Sequence, residues 1–266
     1  MIDLGPDLEL IRAAAIEGGS LAIAERARGV SVRSKPGGSP VTSADYAVDA
    51  SLKTALLSAR PDYGWLSEET EDTPARLKCE RIFVVDPIDG TVAFMRDHPW
   101  WCVPVAVVES GRVVAAVVHA PMLGETYTAI LGGGAWLNGR PIRAADTARL
   151  ENAGILASSQ MFSDLHWPEP WPSMRFESRN ALAYRMSLVA AGDFDAAIAF
   201  TPRWDWDVAA GALIAAEAGA VVTDHHGREW RFNRPDPRQT GMVCAAAALH
   251  PLIIARTRHI PLVEQD

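Results

Sequence analysis

Val84-Val85-Asp86-Pro87-Ile88-Asp89-Gly90-Thr91 is the stretch on which the reading of this chain turns. The apolar run Ile82 to Val85 has the length and β-branched composition of a buried strand, and it stops at a proline-containing turn. Two carboxylates, Asp86 and Asp89, thus stand three residues apart at a strand end, followed by Gly and Thr. Such a turn offers two carboxylates, a backbone carbonyl and a hydroxyl to one small volume, the oxygen set that a hard cation such as magnesium prefers. Pro87 stiffens the turn, and Gly90 lets the backbone approach a ligand while the following amides open a helix toward a phosphate. The same residue types also make an Asx-type turn and helix cap with no ligand at all. Spacing alone does not choose between the two.

Other carboxylates bear on the choice. Glu68-Glu69 follows Gly64-Trp65-Leu66-Ser67, which reads as a strand ending in an acidic pair, although Glu71 and Asp72 continue the run as a solvated acidic loop would. Asp207, in Trp204-Asp205-Trp206-Asp207, stands at the start of an apolar helix, Val208 to Ala218, where an aspartate commonly serves only as a cap.

Around these segments the chain reads as alternating elements. Leu8 to Ala27 has helical composition, weakened by Gly18 and Gly19, and Ser43 is a candidate cap for a second helix ending near Ser58. Pro104 to Val108 and Val113 to Val118 form a hairpin about Ser110-Gly111, extended by Thr126 to Leu131. Gly132-Gly133-Gly134 and Asn138-Gly139 are turn material, and Arg140 to Leu150 is the expected boundary between residues 1–145, an α+β subdomain, and residues 146–266, an α/β subdomain. Ser163 to Arg179 reads as an irregular surface excursion. Helices at Ala181 to Ala191 and Val208 to Ala218 alternate with strands at Asp195 to Phe200 and Ala220 to Thr223.

Composition narrows the class. With 266 residues, 48% of them hydrophobic and 22% charged, the chain buries a large core without disulfides or metal staples. A net charge of −8 opposes binding to a nucleic acid polymer through a basic surface, so an anionic substrate must be drawn by local positive features. Three widely separated cysteines with no Cys-x-x-Cys pair fit a reducing cytoplasm. Met1 to Leu8 lacks the basic cluster of a secretory signal, and no apolar run approaches the roughly 20 residues of a membrane span. Gly132-Gly133-Gly134 lacks the Gly-x-Gly-x-x-Gly order and setting of a dinucleotide-binding fold.

Taken together, the pieces resemble the inositol monophosphatase superfamily of magnesium-dependent, lithium-sensitive phosphatases, nearest its bacterial bisphosphate nucleotidase-like branch. The resemblance rests on Asp86-Pro87-Ile88-Asp89-Gly90-Thr91, on Glu68-Glu69, on Trp206-Asp207-Val208-Ala209-Ala210-Gly211 and on Glu217-Ala218-Gly219. Ser39-Pro40-Val41-Thr42-Ser43-Ala44-Asp45, Gly133-Gly134-Ala135 and Asn138-Gly139 continue it in the same order. It implies an α/β fold, a layered αβαβα sandwich, and a phosphomonoesterase that binds two or three magnesium ions. The implied metal ligands are Glu68, Asp86, Asp89, Asp207 and the Ile88 carbonyl. Thr91 completes a shell and pairs with Asp45 to activate water, with Glu68 also counted in the catalytic set. The backbone of Gly90 and Thr91 would hold the phosphate. A homodimer is common in such proteins. His98, His119 and His225-His226 have no part in this scheme and read as structural or surface residues.

Substrate choice rests on three positions. Animal-type inositol monophosphatases carry an acidic residue seven positions before the second-motif aspartate, where this chain has Phe200, so a polyol loses an acceptor. Arg185 falls where the superfamily's bisphosphate nucleotidases have a basic residue, and guanidinium binds phosphate bidentately; an exposed helical arginine is the plain alternative. Arg203 and Trp204 would add a basic and aromatic wall, unless Trp204 is packing. The expected substrate is a 3′(2′),5′-bisphosphate nucleotide, with inositol phosphate, histidinol phosphate and sugar bisphosphate as alternatives. A noncatalytic phosphate-ligand binder would be expected to have lost one of Glu68, Asp86, Asp89, Thr91 or Asp207, and none is missing.

Overall fold

Strict alternation in the first half builds a sheet that is apolar on both faces. In Arg81–Val85, Phe83 and Val85 join one apolar cluster while Ile82 and Val84 join another, because successive side chains point to opposite sides of a strand. The computed structural model describes residues 4–35, 37–164 and 167–262. Its helices are α1 (Gly5–Arg28), α2 (Ser43–Ala59), α3 (Thr91–Met95), α4 (Gln160–Asp164), α5 (Leu182–Ala190), α6 (Asp205–Glu217) and α7 (His250–Thr257).

Seven strands form the larger sheet, in chain order from Gly64–Ser67 through Arg81–Val85, Val103–Glu109, Arg112–Ala120, Glu125–Ile130 and Ala135–Leu137 to Arg140–Pro141. The first pair is parallel and the rest are antiparallel. Its Phe83, Val105, Val107 and Val117 face pack against Ile11 and Ala15 of α1 and Val48 and Leu52 of α2. The opposite face meets α5 and α6 through Met186, Leu188, Val208 and Leu213.

The other side of α5 and α6 lies on a five-stranded sheet, ordered Arg175–Glu177, Gly154–Leu156, Ala196–Ala199, Met242–Ala246, Ala220–Thr223. Ala197, Ala199, Met242 and Cys244 face these helices, whereas Ile198, Val243 and Ala245 face Ile253 and Ile254 of α7. The layers therefore run helix, sheet, helix, sheet, helix, the expected αβαβα sandwich. Among the described residues no helix is long and apolar enough to cross a membrane.

Several local readings need correction. Thr42, not Ser43, caps α2: its Oγ1 accepts from Ala44 N at 3.2 Å, while the Asp45 carboxylate accepts from Thr42 N at 2.8 Å, a reciprocal box. Ser43 Oγ instead accepts from Ser31 N. Gly19 is in α1 because a Cβ there would stand 2.8 Å from the His119 ring, so it allows α1 to lie close on the sheet. Ala135–Leu137, inside the glycine-rich turn material, is a strand, and the glycines before it are held by Glu217, which accepts from Gly132 N and Gly134 N at 2.7 and 2.8 Å. Two of the quoted sequence pieces are thus one structural clamp.

The excursion after Ser163 contains the edge strand Arg175–Glu177, and its Leu165 and His166 lie outside the described residues, as do Met1, Ile2 and Asp3 of the N-terminal segment and Pro36 of the early loop. The strand Met242–Ala246 and α7 had no sequence reading at all. Met242–Ala246 is buried throughout, so no strand alternation shows, and α7 follows with its buried face on His250, Ile253, Ile254 and Thr257.

Buried histidines fasten the last helix. Thr223 Oγ1 donates to Asp224 O at 2.8 Å, which uses its one hydrogen, so His250 Nε2, 2.8 Å away, donates to Thr223. Burial holds His250 below the usual histidine range of about 6.5. A base with a depressed folded value favours the neutral form, so its contribution is complete above 6.5 and is lost as pH falls and the unfolded chain takes up the proton. Relative to His250→Gln, the wild-type protein should lose stability between about pH 7 and pH 5 and hold a constant margin above that range. Denaturant unfolding at each pH checks this, and parallel curves would remove His250 as a cause.

Candidate active site

The strand Arg81–Val85 delivers Asp86 to the sheet's end, and the following turn closes on itself. Asp86 Oδ1 accepts from Ile88 N at 2.9 Å, an Asx turn, so the plain reading of this segment is correct as far as its backbone goes. Gly90 has φ of +95° and caps α3, and a Cβ there would meet that of Ala181 at 3.1 Å. Thr91 Oγ1 lies 3.2 Å from Ile88 O and 3.3 Å from Asp45 Oδ1.

Asp89 reaches across the chain. Its Oδ1 accepts from Leu182 N at 3.0 Å and its Oδ2 from Ala183 N at 2.7 Å, so it caps α5 from a distant segment. Main-chain bonds exchanged with Cys102, at 2.9 and 3.0 Å, fix the residue further. Asp207 lies in the first turn of α6, where its Oδ2 accepts from Trp204 N at 2.9 Å. Glu68 and Glu69 share Lys35, whose Nζ is 2.6 Å from each.

Electrostatics connect these groups. Burial raises the Asp86 carboxyl well above its usual range, and Glu68, Asp89, Asp207 and Asp45 repel its charge further. Burial pushes Asp89 up to about 6 and Asp207 up to about 7, against the stabilising amides that each accepts. Asp45 is raised by burial, and Glu69 is pushed up to about 7 for the same reason. Burial opposes the charge on Lys35, but Glu68 and Glu69 outweigh it and hold the ammonium above the usual lysine range.

This donor set suits a hard cation, since every side chain offers oxygen and the carboxylates repel one another without positive charge between them. The carboxylates are nevertheless turned to protein partners. Among the described residues no three Asp, Glu, His or Cys side chains stand together as a ready-made metal cage. The positive charge present at the acidic pair is Lys35.

Sequence reasoning missed Lys35 and Asp49. Asp49 accepts from Ser67 Oγ and, at 2.6 Å, from Thr70 Oγ1, bracketing the glutamate pair. Its spacing of four residues from Asp45, on one face of α2, was the available signal. Lys35 was available as the lysine of the loop before Ser39-Pro40.

The substrate candidates separate. Arg185 donates through Nη2 to Arg179 O, and its Nε is buried with no partner among the described residues; the Nε of Arg203 is in the same condition. Burial, then repulsion by Arg203, holds Arg185 below the usual arginine range, against the pull of Asp89. Phe200 lies among rings, 5.9 Å from Trp167 and 5.6 Å from His225. Trp204 stacks on Trp206 at 4.7 Å and lies beneath Arg238 at 5.4 Å, with 40% of its surface exposed.

Residues 5–262 match the Inositol monophosphatase family. The chain is 33% identical over 200 residues to an inositol-1-monophosphatase of Rhizobium meliloti (strain 1021), across 70% of this chain and 73% of that protein. It is 31% identical over 207 residues to the 3′(2′),5′-bisphosphate nucleotidase CysQ of Escherichia coli O157:H7, across 76% and 83%. The solved structure of the extragenic suppressor protein suhB from Bartonella henselae superposes with a TM-score of 0.82 at 25% identity, over 94% of this chain and 98% of that one.

The role of Lys35 as counter-charge is testable. Lys35→Met should lower the melting temperature in EDTA and enlarge the rise caused by adding magnesium, because a cation then replaces a missing charge. An unchanged magnesium response in thermal melts would show that Lys35 and the cation do not share the acidic pair.

Proposed function

The chain belongs to the inositol monophosphatase family and is a phosphatase of small phosphate esters, and from that membership we propose a magnesium-dependent phosphomonoesterase whose substrate carries a second phosphate. The substrate class is a 3′(2′),5′-bisphosphate nucleotide such as adenosine 3′,5′-bisphosphate. The observation that carries this choice is the pair Arg185 and Arg203, whose buried Nε atoms lack acceptors among the described residues beside Asp89 and Asp207. Two neighbouring guanidiniums repel each other and favour a dianion between or beside them.

Glu68, Asp86, Asp89, Asp207, the Ile88 carbonyl and the Thr91 hydroxyl would hold magnesium. Bound there, magnesium supplies positive charge to the phosphoryl oxygens and lowers the pKa of a coordinated water. The chain's own groups do the rest. Asp45 has one oxygen committed to Thr42, by 2.8 Å and 2.6 Å bonds, which leaves Oδ1 toward Thr91. A carboxyl raised by burial is a better proton acceptor, and Asp45 with Thr91 takes the proton of the attacking water. Among the described residues no side chain caps the start of α3, and the amides of Gly90 and Thr91 there would hold the phosphate. Phe200 offers no acceptor for a polyol hydroxyl and is engaged by Trp167 and His225, which disfavours inositol phosphate.

Arg185→Ala should reduce kcat/KM for adenosine 3′,5′-bisphosphate by about tenfold or more, the worth of a charge-assisted contact, and change inositol 1-phosphate turnover much less. Phosphate release with magnesium measures both, and lithium added in parallel should inhibit. Equal losses on the two substrates would contradict the role given to Arg185.

A further inference from the structure

A second concentration of positive charge lies on the loop between Ala220–Thr223 and Met242–Ala246, in a cleft that none of the candidate metal ligands lines. Residues 228–238 contain four arginines and two acidic residues, Glu229 and Asp236, in a chain of net charge −8. Arg228, Arg231, Arg234 and Arg238 line one cleft of about 550 Å³ together with Trp230 and Thr240. The size suits a small ligand.

The loop that carries these arginines is fixed from within. Asn233 N and Gln239 Nε2 donate to the two oxygens of Asp205 at 2.8 and 2.7 Å. Gln239 Nε2 also donates to Arg231 O at 2.9 Å. The buried Arg76 donates to Asn233 Oδ1 at 2.6 Å and Arg234 O at 3.0 Å, and Phe232 N donates to Gly111 O at 3.1 Å. The main chain that carries the four arginines is thus anchored by interior contacts.

Their charges are only partly compensated. Arg228 pairs with Asp224 at 2.7 Å and Arg238 with Asp236 at 2.9 Å. Arg234 donates to the carbonyls of Arg231 and Arg238, which accept hydrogen bonds without cancelling its charge. Neither Arg231 nor Arg234 forms an ion pair among the described residues. Even with Glu229 counted, the four guanidiniums of the lining face three carboxylates, Asp224, Glu229 and Asp236. Guanidinium donors with surplus positive charge on an anchored loop are the chemistry of anion recognition.

We propose that this cleft is a second anion site that takes a small phosphorylated ligand, separate from the catalytic carboxylates. Arg231 is its principal free guanidinium. Arg228 and Arg234 flank it, and the polymer backbone of a nucleic acid is disfavoured by the net charge of −8 on the chain around it.

Calorimetric titration of the full chain with inorganic pyrophosphate, in EDTA so that the acidic cluster repels anions, tests the site. One pyrophosphate per chain is expected. Arg231→Ala should weaken it about tenfold or more, with the melting temperature unchanged, and Arg231→Lys should restore part of the affinity. Arg185→Ala should leave it unaltered. Absence of binding, or loss of binding in Arg185→Ala with none in Arg231→Ala, would overturn the proposal. Tighter Arg231-dependent capture of a short oligoribonucleotide than of pyrophosphate would overturn the small-ligand class.

Discussion

Mutual repulsion among buried carboxylates governs the middle of this molecule. Asp86 and Asp89 are 2% and 5% exposed, and with Glu68, Asp45 and Asp207 they share one electrostatic neighbourhood. Burial disfavours each charge, and the neighbours disfavour it again. The fold tolerates the arrangement because each carboxylate has a local partner: the Ile88 amide for Asp86, the Leu182 and Ala183 amides for Asp89, the Trp204 amide for Asp207, the Thr42 amide and hydroxyl for Asp45, and Lys35 for Glu68. These partners also join the layers, since Asp89 from the large sheet starts α5, which packs against both sheets.

That double use explains why the sequence was informative here. A segment that must end a strand, turn sharply and cap a remote helix has little freedom, so Asp86 to Thr91 carries a strong pattern. The αβαβα layering was also legible, through β-branched runs between Ile82 and Val118 and through the apolar helix after Asp207. What escaped was short, without period, or joined to an apolar strand with no polar break. Gly154–Leu156 has three residues, Met242–Ala246 is uniformly apolar because both its faces are covered, and α7 follows it without a polar break.

Long-range polar contacts were hidden for a different reason. Lys35 lies 33 residues from Glu68, and Glu217 lies 85 residues from Gly132, so no local spacing announces either pair. Phe200 shows the limit of positional reasoning. Its lack of an acceptor was read directly from the residue type, but its packing on Trp167 depends on a segment that read as irregular. Arg185 and Arg203 were legible as basic residues, whereas the absence of acceptors for their buried Nε atoms among the described residues required the structure.

We propose that the acidic cluster holds divalent cations. Manganese, a scattering substitute for magnesium, can be located by anomalous diffraction from crystals of the full chain. The account predicts peaks at roughly 2.0–2.2 Å from carboxylate oxygens of Asp86 together with Glu68, Asp89 or Asp207. Anomalous peaks confined to other carboxylates, or a cluster that stays free of metal at saturating manganese, would contradict it.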